Sequence, residues 1–93
     1  MHGKGCFHYK NGDFYEGFFK EGKRSGIGCL KSKGYSYYGP FMEDMKSGKG
    51  TVFLENGDKF EGWFEQDKVQ GYGELHRVNG QVWKKNYEWQ SID

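Results

Sequence analysis

The chain has 93 residues, of which 34% are hydrophobic and 19% aromatic, with 16 glycines against one proline. Aromatic rings are thus more than half of the apolar content, which excludes an ordinary aliphatic core, and the longest apolar runs fall far short of the ~20 residues of a membrane-spanning helix. A net charge of +1 argues against a dedicated nucleic-acid binder, although residues 1–46 hold 8 basic and 5 acidic side chains while residues 47–93 hold 6 and 8, a weak dipole along the chain.

In chain order, residues 2–12 carry Gly3-x-Gly5 and end in Asn11-Gly12. From Phe14 apolar residues alternate. Tyr15, Gly17 and Phe19 point one way, and Phe14, Glu16 and Phe18 the other. Period two means strand. After the polar stretch from Lys20 to Ser25, Gly26-Ile27-Gly28-Cys29-Leu30 alternates again. The same order then recurs. Gly-x-Gly returns at Gly48/Gly50 and Gly71/Gly73, so its intervals are 23, 22 and 23 residues. The turn dipeptide returns at Lys33-Gly34, Asn56-Gly57 and Asn79-Gly80, and aromatic-x-Gly-x-aromatic at Tyr37-Tyr38-Gly39-Pro40-Phe41 and Phe60-Glu61-Gly62-Trp63-Phe64. Gly22 is the one glycine outside these marks, and its counterparts Asp44 and Asp67 also tolerate a left-handed backbone. A fixed period with every glycine in phase is a repeat architecture.

Each unit is expected to be two short antiparallel strands. Asn-Gly marks a tight hairpin turn with positive φ at both positions. The fold class is all-β: a single-layer, twisted, open-edged antiparallel meander with about 23 residues per unit. Glycine weakens a strand unless something needs the space. The expected reason is that a ring from one strand lies over the glycines of the next, with Gly17, Gly26, Gly28, Gly39, Gly48, Gly50, Gly62, Gly71 and Gly73 as structural positions.

The unit aromatic-x-Gly-x-aromatic, polar turn, Gly-x-Gly-x-apolar resembles the MORN repeat, best over Tyr15–Leu30, Tyr37–Val52 and Phe60–Leu75. The chain divides into a leading half unit (2–12), units at about 13–34, 35–57 and 58–80, and a degenerate terminal unit (81–93), in which Lys85 replaces the motif's glycine. Pro40 also departs, since it stands where a strand residue is expected. The short MORN-only proteins are similar. The resemblance implies a non-catalytic scaffold or docking module, a small subunit of a cytoskeletal or ciliary (axonemal) assembly, that takes a partner helix or extended segment in a groove. The residues assigned to that groove are Tyr15, Phe19, Tyr37, Phe41, Phe60, Phe64, Trp83 and Tyr87. Open edges leave a homodimer possible.

The alternative that the resemblance implies is a peripheral phospholipid-binding module. Lys20, Lys23 and Arg24, with Lys46 and Lys68, would meet anionic headgroups, but Glu21, Glu43, Asp44, Glu65 and Asp67 sit in the same turns and offset them. A second, partly apolar face carrying Trp63, Phe14, Phe18 and Phe53 has no role in stacking rings on glycine. Exposed aromatic patches of this kind mark interaction sites. Glu16 and Glu61 on it are expected to be solvated.

No nucleophile-and-base constellation is visible, so no enzyme, cofactor or metal is expected. Cys6 and Cys29 occupy the same place in adjacent units, two strand spacings or about 9.5 Å apart. That is too far for a disulfide, which needs about 7 Å or less. Reduced thiols and the lack of a secretory-type leader point to a soluble cytoplasmic protein. His8 and His76 lie three units apart, and the histidines and cysteines lack the spacing of a zinc site.

Overall fold

A computed structural model describes residues 2–90, with side chains through residue 87. Among the described residues nine strands form one antiparallel sheet: β1 (Gly3–His8), β2 (Phe14–Lys20), β3 (Lys23–Ser32), β4 (Tyr35–Met42), β5 (Met45–Lys46), β6 (Gly48–Leu54), β7 (Lys59–Glu65), β8 (Lys68–His76) and β9 (Val82–Gln90). The spatial order is β1-β2-β3-β4-β6-β7-β8-β9, with the short β5 paired to β4. The sheet is an open meander without crossovers, as the repeat predicts, and the described residues contain no helix.

The register aligns the motifs. Gly5, Gly17, Gly28 and Gly39 are consecutive cross-strand partners, as are Gly50, Gly62 and Gly73. Beside these bare rungs run the rings. A Cβ on Gly28 would collide with the Tyr15 ring, and one on Gly50 would come within 2.5 Å of the Tyr37 ring. Phe60 lies in the same way over Gly62 and Gly73, where an added Cβ would come within 2.7 Å of it. Each ring therefore covers the glycine of its own strand as well as that of the next strand.

Rings then touch one another edge to face. Phe19, Tyr15, Phe41, Tyr37, Phe64, Phe60 and Tyr87 form an unbroken chain with centroids 5.0–6.2 Å apart. Such pairs gain about 0.5–1.5 kcal/mol each beyond their area. Leu30, Val52 and Val69 complete the buried cluster. Aromatic packing on one face thus supplies the core that a single sheet otherwise lacks.

The turns differ from expectation in an instructive way. At Asn11-Gly12 and Asn56-Gly57 only the glycine has positive φ. The Gly12 N–H closes a turn on the Tyr9 carbonyl at 3.0 Å, and the Asn11 side chain accepts from the Asp13 N–H at 3.0 Å. These are type I turns followed by a glycine bulge. The two-residue turns with positive φ at both positions are the others. They fall at Glu21-Gly22, Glu43-Asp44 and Gln66-Asp67, each closed by flanking partners such as Lys20 and Lys23. Gly22, Asp44 and Asp67 thus do adopt the left-handed backbone.

Candidate protein-interaction face

The two faces of the sheet are chemically distinct. Six of the eight residues assigned to the docking groove are core. Tyr15 and Tyr37 are 0% exposed, and Phe19, Phe41, Phe60 and Phe64 are buried with them. Tyr87 packs partly buried against this cluster, while Trp83, on the same face at the last described strand, is half exposed. A ring with no accessible surface cannot touch a partner. The groove expected there is filled, because each ring seals the glycines beneath it and the next ring along.

Two cations close what remains. The Arg24 guanidinium sits 5.2 Å from the Phe41 ring centre, 5.6 Å from Tyr9 and 5.9 Å from Tyr15. The Lys46 ammonium sits 5.2 Å from Tyr35 and 5.7 Å from Tyr37, and donates to the Tyr35 hydroxyl at 3.2 Å. Arg24 is held by Asp44 at 2.7 Å, and Lys46 lies 3.7 Å from Asp67. These same carboxylates accept the backbone N–H of Arg24 and of Lys46. The sequence reading missed this role for both cations. A signal for it existed: Arg24 and Lys46 share a repeat position with Val69, whose apolar side chain marks the position as facing the rings.

Three of the five cations considered for lipid headgroups are thereby engaged, while Lys20 and Lys68 are exposed. Lys23 pairs with Glu43 at 3.0 Å, and Arg24 and Lys46 are engaged as described. An anionic surface would have to compete with carboxylates already in place.

Burial also sets the phenols. Burial, opposed by Arg24, pushes Tyr15 above its ordinary value, and burial with Asp67 raises Tyr37 much further. The Tyr15 hydroxyl donates to the Phe18 carbonyl at 2.8 Å, beside a break in the β2–β3 register. The Tyr37 hydroxyl donates to the Pro40 carbonyl at 2.9 Å, which also receives the Ser47 N–H.

The opposite face is open. Phe18, Ile27, Tyr38, Phe53, Trp63, Tyr72 and Val82 all project from it with about half their surface exposed. Phe18, Ile27, Pro40, Trp63 and Tyr72 fall in one row across the strands. Ile27 partners Pro40, and Lys49 partners Trp63. Gly17–Gly28 and Gly62–Gly73, one residue away, set Phe18 beside Ile27 and Trp63 beside Tyr72. An apolar band of this kind, interrupted by Lys49 on β6, marks an interaction surface.

Beside the band, β7 and β8 bring Glu61, Glu74 and His76 together. His76 Nε2 lies 3.1 Å from Glu74 and 3.3 Å from Glu61. The Tyr72 hydroxyl donates to the other Glu74 oxygen at 2.9 Å; this bond, more than His76 or Lys84, draws the Glu74 carboxyl below its usual range. Glu61 is thus half-buried and paired. The three ligand atoms lie within 4.8 Å of one another, and this is the one such group among the described residues. Three donors are one short of a closed tetrahedral zinc site, and each here already has a partner. Cys6 and Cys29 are free thiols on either side of Glu16, each its cross-strand partner.

The family model for the MORN repeat matches residues 1–14, 15–36, 37–59 and 60–82. Its later units open on Tyr15, Tyr37 and Phe60, the rings that lie over glycine. No curated protein matches the chain significantly. MORN repeats are non-catalytic modules of protein or membrane interaction, and four consecutive matches that take in most of the sequence show that this chain belongs to the MORN-repeat family.

Proposed function

We propose that the chain is a non-catalytic protein-docking module that engages its partner through the apolar band on the open face. One observation carries this reading. The ring face is closed by its own aromatics and by Arg24 and Lys46, whereas Phe18, Ile27, Trp63 and Tyr72 stay exposed in register across the sheet. Aromatics of this kind supply large contact area at low entropic cost. Rigidity of the sheet beneath them adds preorganisation. A small cytoplasmic subunit of a cytoskeletal or axonemal scaffold is the setting we propose, supported by the resemblance to MORN-only chains. Lipid docking is not favoured, since three of the five turn cations, Lys23, Arg24 and Lys46, are already paired.

Affinity capture of the tagged chain from its native cell tests the reading. The wild type is expected to retain a partner that sediments with the cytoskeletal fraction. Phe18→Ala combined with Trp63→Ala should lose it while the circular dichroism spectrum stays that of a sheet. Retention of the partner by this folded double variant would overturn the assignment of the face.

A further inference from the structure

The two edge strands of the sheet differ in what they leave bare. Inside the sheet, each strand that carries Gly-x-Gly lies beside a ring strand that covers it. Tyr15 of β2 lies over Gly28 of β3, Tyr37 of β4 over Gly50 of β6, and Phe60 of β7 over Gly73 of β8. The apolar residue two positions further on is then sealed as well. Leu30 is 4% exposed, Val52 0%, and Leu75 is partly buried. β1 repeats the pattern with Gly3, Gly5 and Phe7, but among the described residues it is paired on one side only, to β2. Phe7 stands at the repeat position of Leu30 and Val52, yet it is 48% exposed and touches the Tyr9 ring edge-on at 4.7 Å. Alternate N–H and C=O groups of an edge strand also face outward, free to pair with an added strand.

The opposite edge is closed to the same kind of addition. β9 is a ring strand, with Trp83 at the position of Tyr15 and Lys85 at that of Gly17. A seated ring needs bare backbone on its own strand too, since a Cβ on Gly17 would come within 2.7 Å of the Tyr15 hydroxyl. Lys85 fills that place, its ammonium 5.2 Å from the Tyr87 ring centre. Trp83 stays half exposed, with the Arg77 guanidinium 4.7 Å from its ring centre. The β9 strand of a second copy is therefore a poor complement to β1. In the register that sets Gly17 opposite Gly28, Lys85 would fall opposite Gly5. Two β1 edges paired with each other would bring no ring to either Gly5.

We infer that the β1 edge is a second docking site, which takes an extended segment of a partner protein, of pattern aromatic-x-Gly, as an added strand. The segment runs antiparallel to β1. Its glycine lies opposite Gly5 and its aromatic residue opposite Phe7, as Gly17 lies opposite Gly28 and Tyr15 opposite Leu30. Main-chain hydrogen bonds to β1 supply affinity, and the ring seated over Gly5 and against Phe7 supplies specificity. The glycine of the segment is required because the same ring covers its own strand. The site lies at one end of the ring face, apart from the apolar band of the open face, and stands or falls independently of the docking reading above.

The test uses the intact chain and a synthetic peptide that copies residues 13–20, flanked by lysines for solubility. At about ten times its Kd the peptide is expected to slow amide exchange in β1 by about tenfold, with β9 unchanged. Peptides carrying Tyr15→Ala or Gly17→Val should bind about tenfold more weakly, as should the chain carrying Phe7→Ala, a change at an already exposed position. The chain carrying Phe18→Ala with Trp63→Ala should bind the peptide as the wild type does. Unaltered β1 exchange, protection of β9 in place of β1, or equal binding of the Gly17→Val peptide would overturn the inference. Loss of the peptide by the Phe18→Ala, Trp63→Ala chain would move it to the open face and overturn the edge site. Exchange in β1 that slows as the chain alone is concentrated would give the edge to a second copy, and would overturn the partner segment.

Discussion

At the scale of single residues, the repeat divides labour between its two Gly-x-Gly positions. The first, such as Gly26 with φ 74°, sits at a bulge where an L side chain is strained. The second, such as Gly50, exists because the Tyr37 ring occupies the space of its missing side chain. Gly50→Ala drives a methyl into that ring, so it should cost about 1–3 kcal/mol in denaturant unfolding. A variant as stable as wild type would mean that the ring is free to move. Tyr37→Ala removes the centre of the ring chain and should cost about 3–5 kcal/mol, enough to unfold a small sheet. Tyr37→Phe loses only the bond to the Pro40 carbonyl, about 1 kcal/mol; Phe60 shows that the same position works without a hydroxyl. The pH dependence follows from the same burial. Tyr37 holds its proton to a higher pH when folded than its ordinary value of 10.0, as Tyr15 also does. Above pH 10 the unfolded chain has lost a proton that the native chain keeps, so stability falls as pH rises. Unfolding measured from pH 8 to 12 should show this loss, and Tyr37→Phe should flatten it. An equal slope in that variant would remove Tyr37 as its cause.

At the scale of strands and turns, the cation of one turn is bound by the carboxylate of the next. Arg24 with Asp44 and Lys46 with Asp67 are successive links. Gly22 offers no carboxylate before the first and Val69 no cation after the last. The second link is the better test, because Lys46 is buried over Tyr35 and Tyr37. Asp67→Ala leaves the Lys46 N–H without its acceptor and the ammonium without its counter-ion, and places an Ala where φ is 68°. It should cost about 2–4 kcal/mol. Asp67→Asn keeps the N–H acceptor and should cost less. The exposed Lys23–Glu43 pair, screened by solvent, should contribute least. Thermal melts of these variants and of Lys23→Ala would show the order, and equal losses would deny the ladder its buried character. Strands, register and the ring-on-glycine contact were legible in the sequence because period and phase determine them. The turn geometry was not, since Asn-Gly serves two hairpin classes and the bulge after a type I turn is a matter of strand register. Burial of the groove aromatics was hidden too. Alternation places Tyr37 and Phe41 on one face but does not say that they cover each other. The open band was partly legible, through Trp63, Phe18 and Phe53; Ile27 and Pro40 needed the register to join them.

For the whole molecule, a sheet 41 Å long in which each strand contacts mainly its neighbours behaves as a one-dimensional stack. Rings from neighbouring strands cover one face of its middle strands. Tyr37 and Val52, on β4 and β6, are fully buried, whereas every described side chain of β9 before Tyr87 is exposed. On β1 all positions but Gly5 are exposed as well. Stability should therefore be graded along the stack, because end strands have one neighbour and few buried apolar contacts. Amide hydrogen exchange under native conditions should show the lowest protection in β1 and β9 and the highest in β4 and β6. Uniform protection of β1, β4 and β9 in the free chain would mean that the stack opens in one step, and that the ends need no partner to hold them.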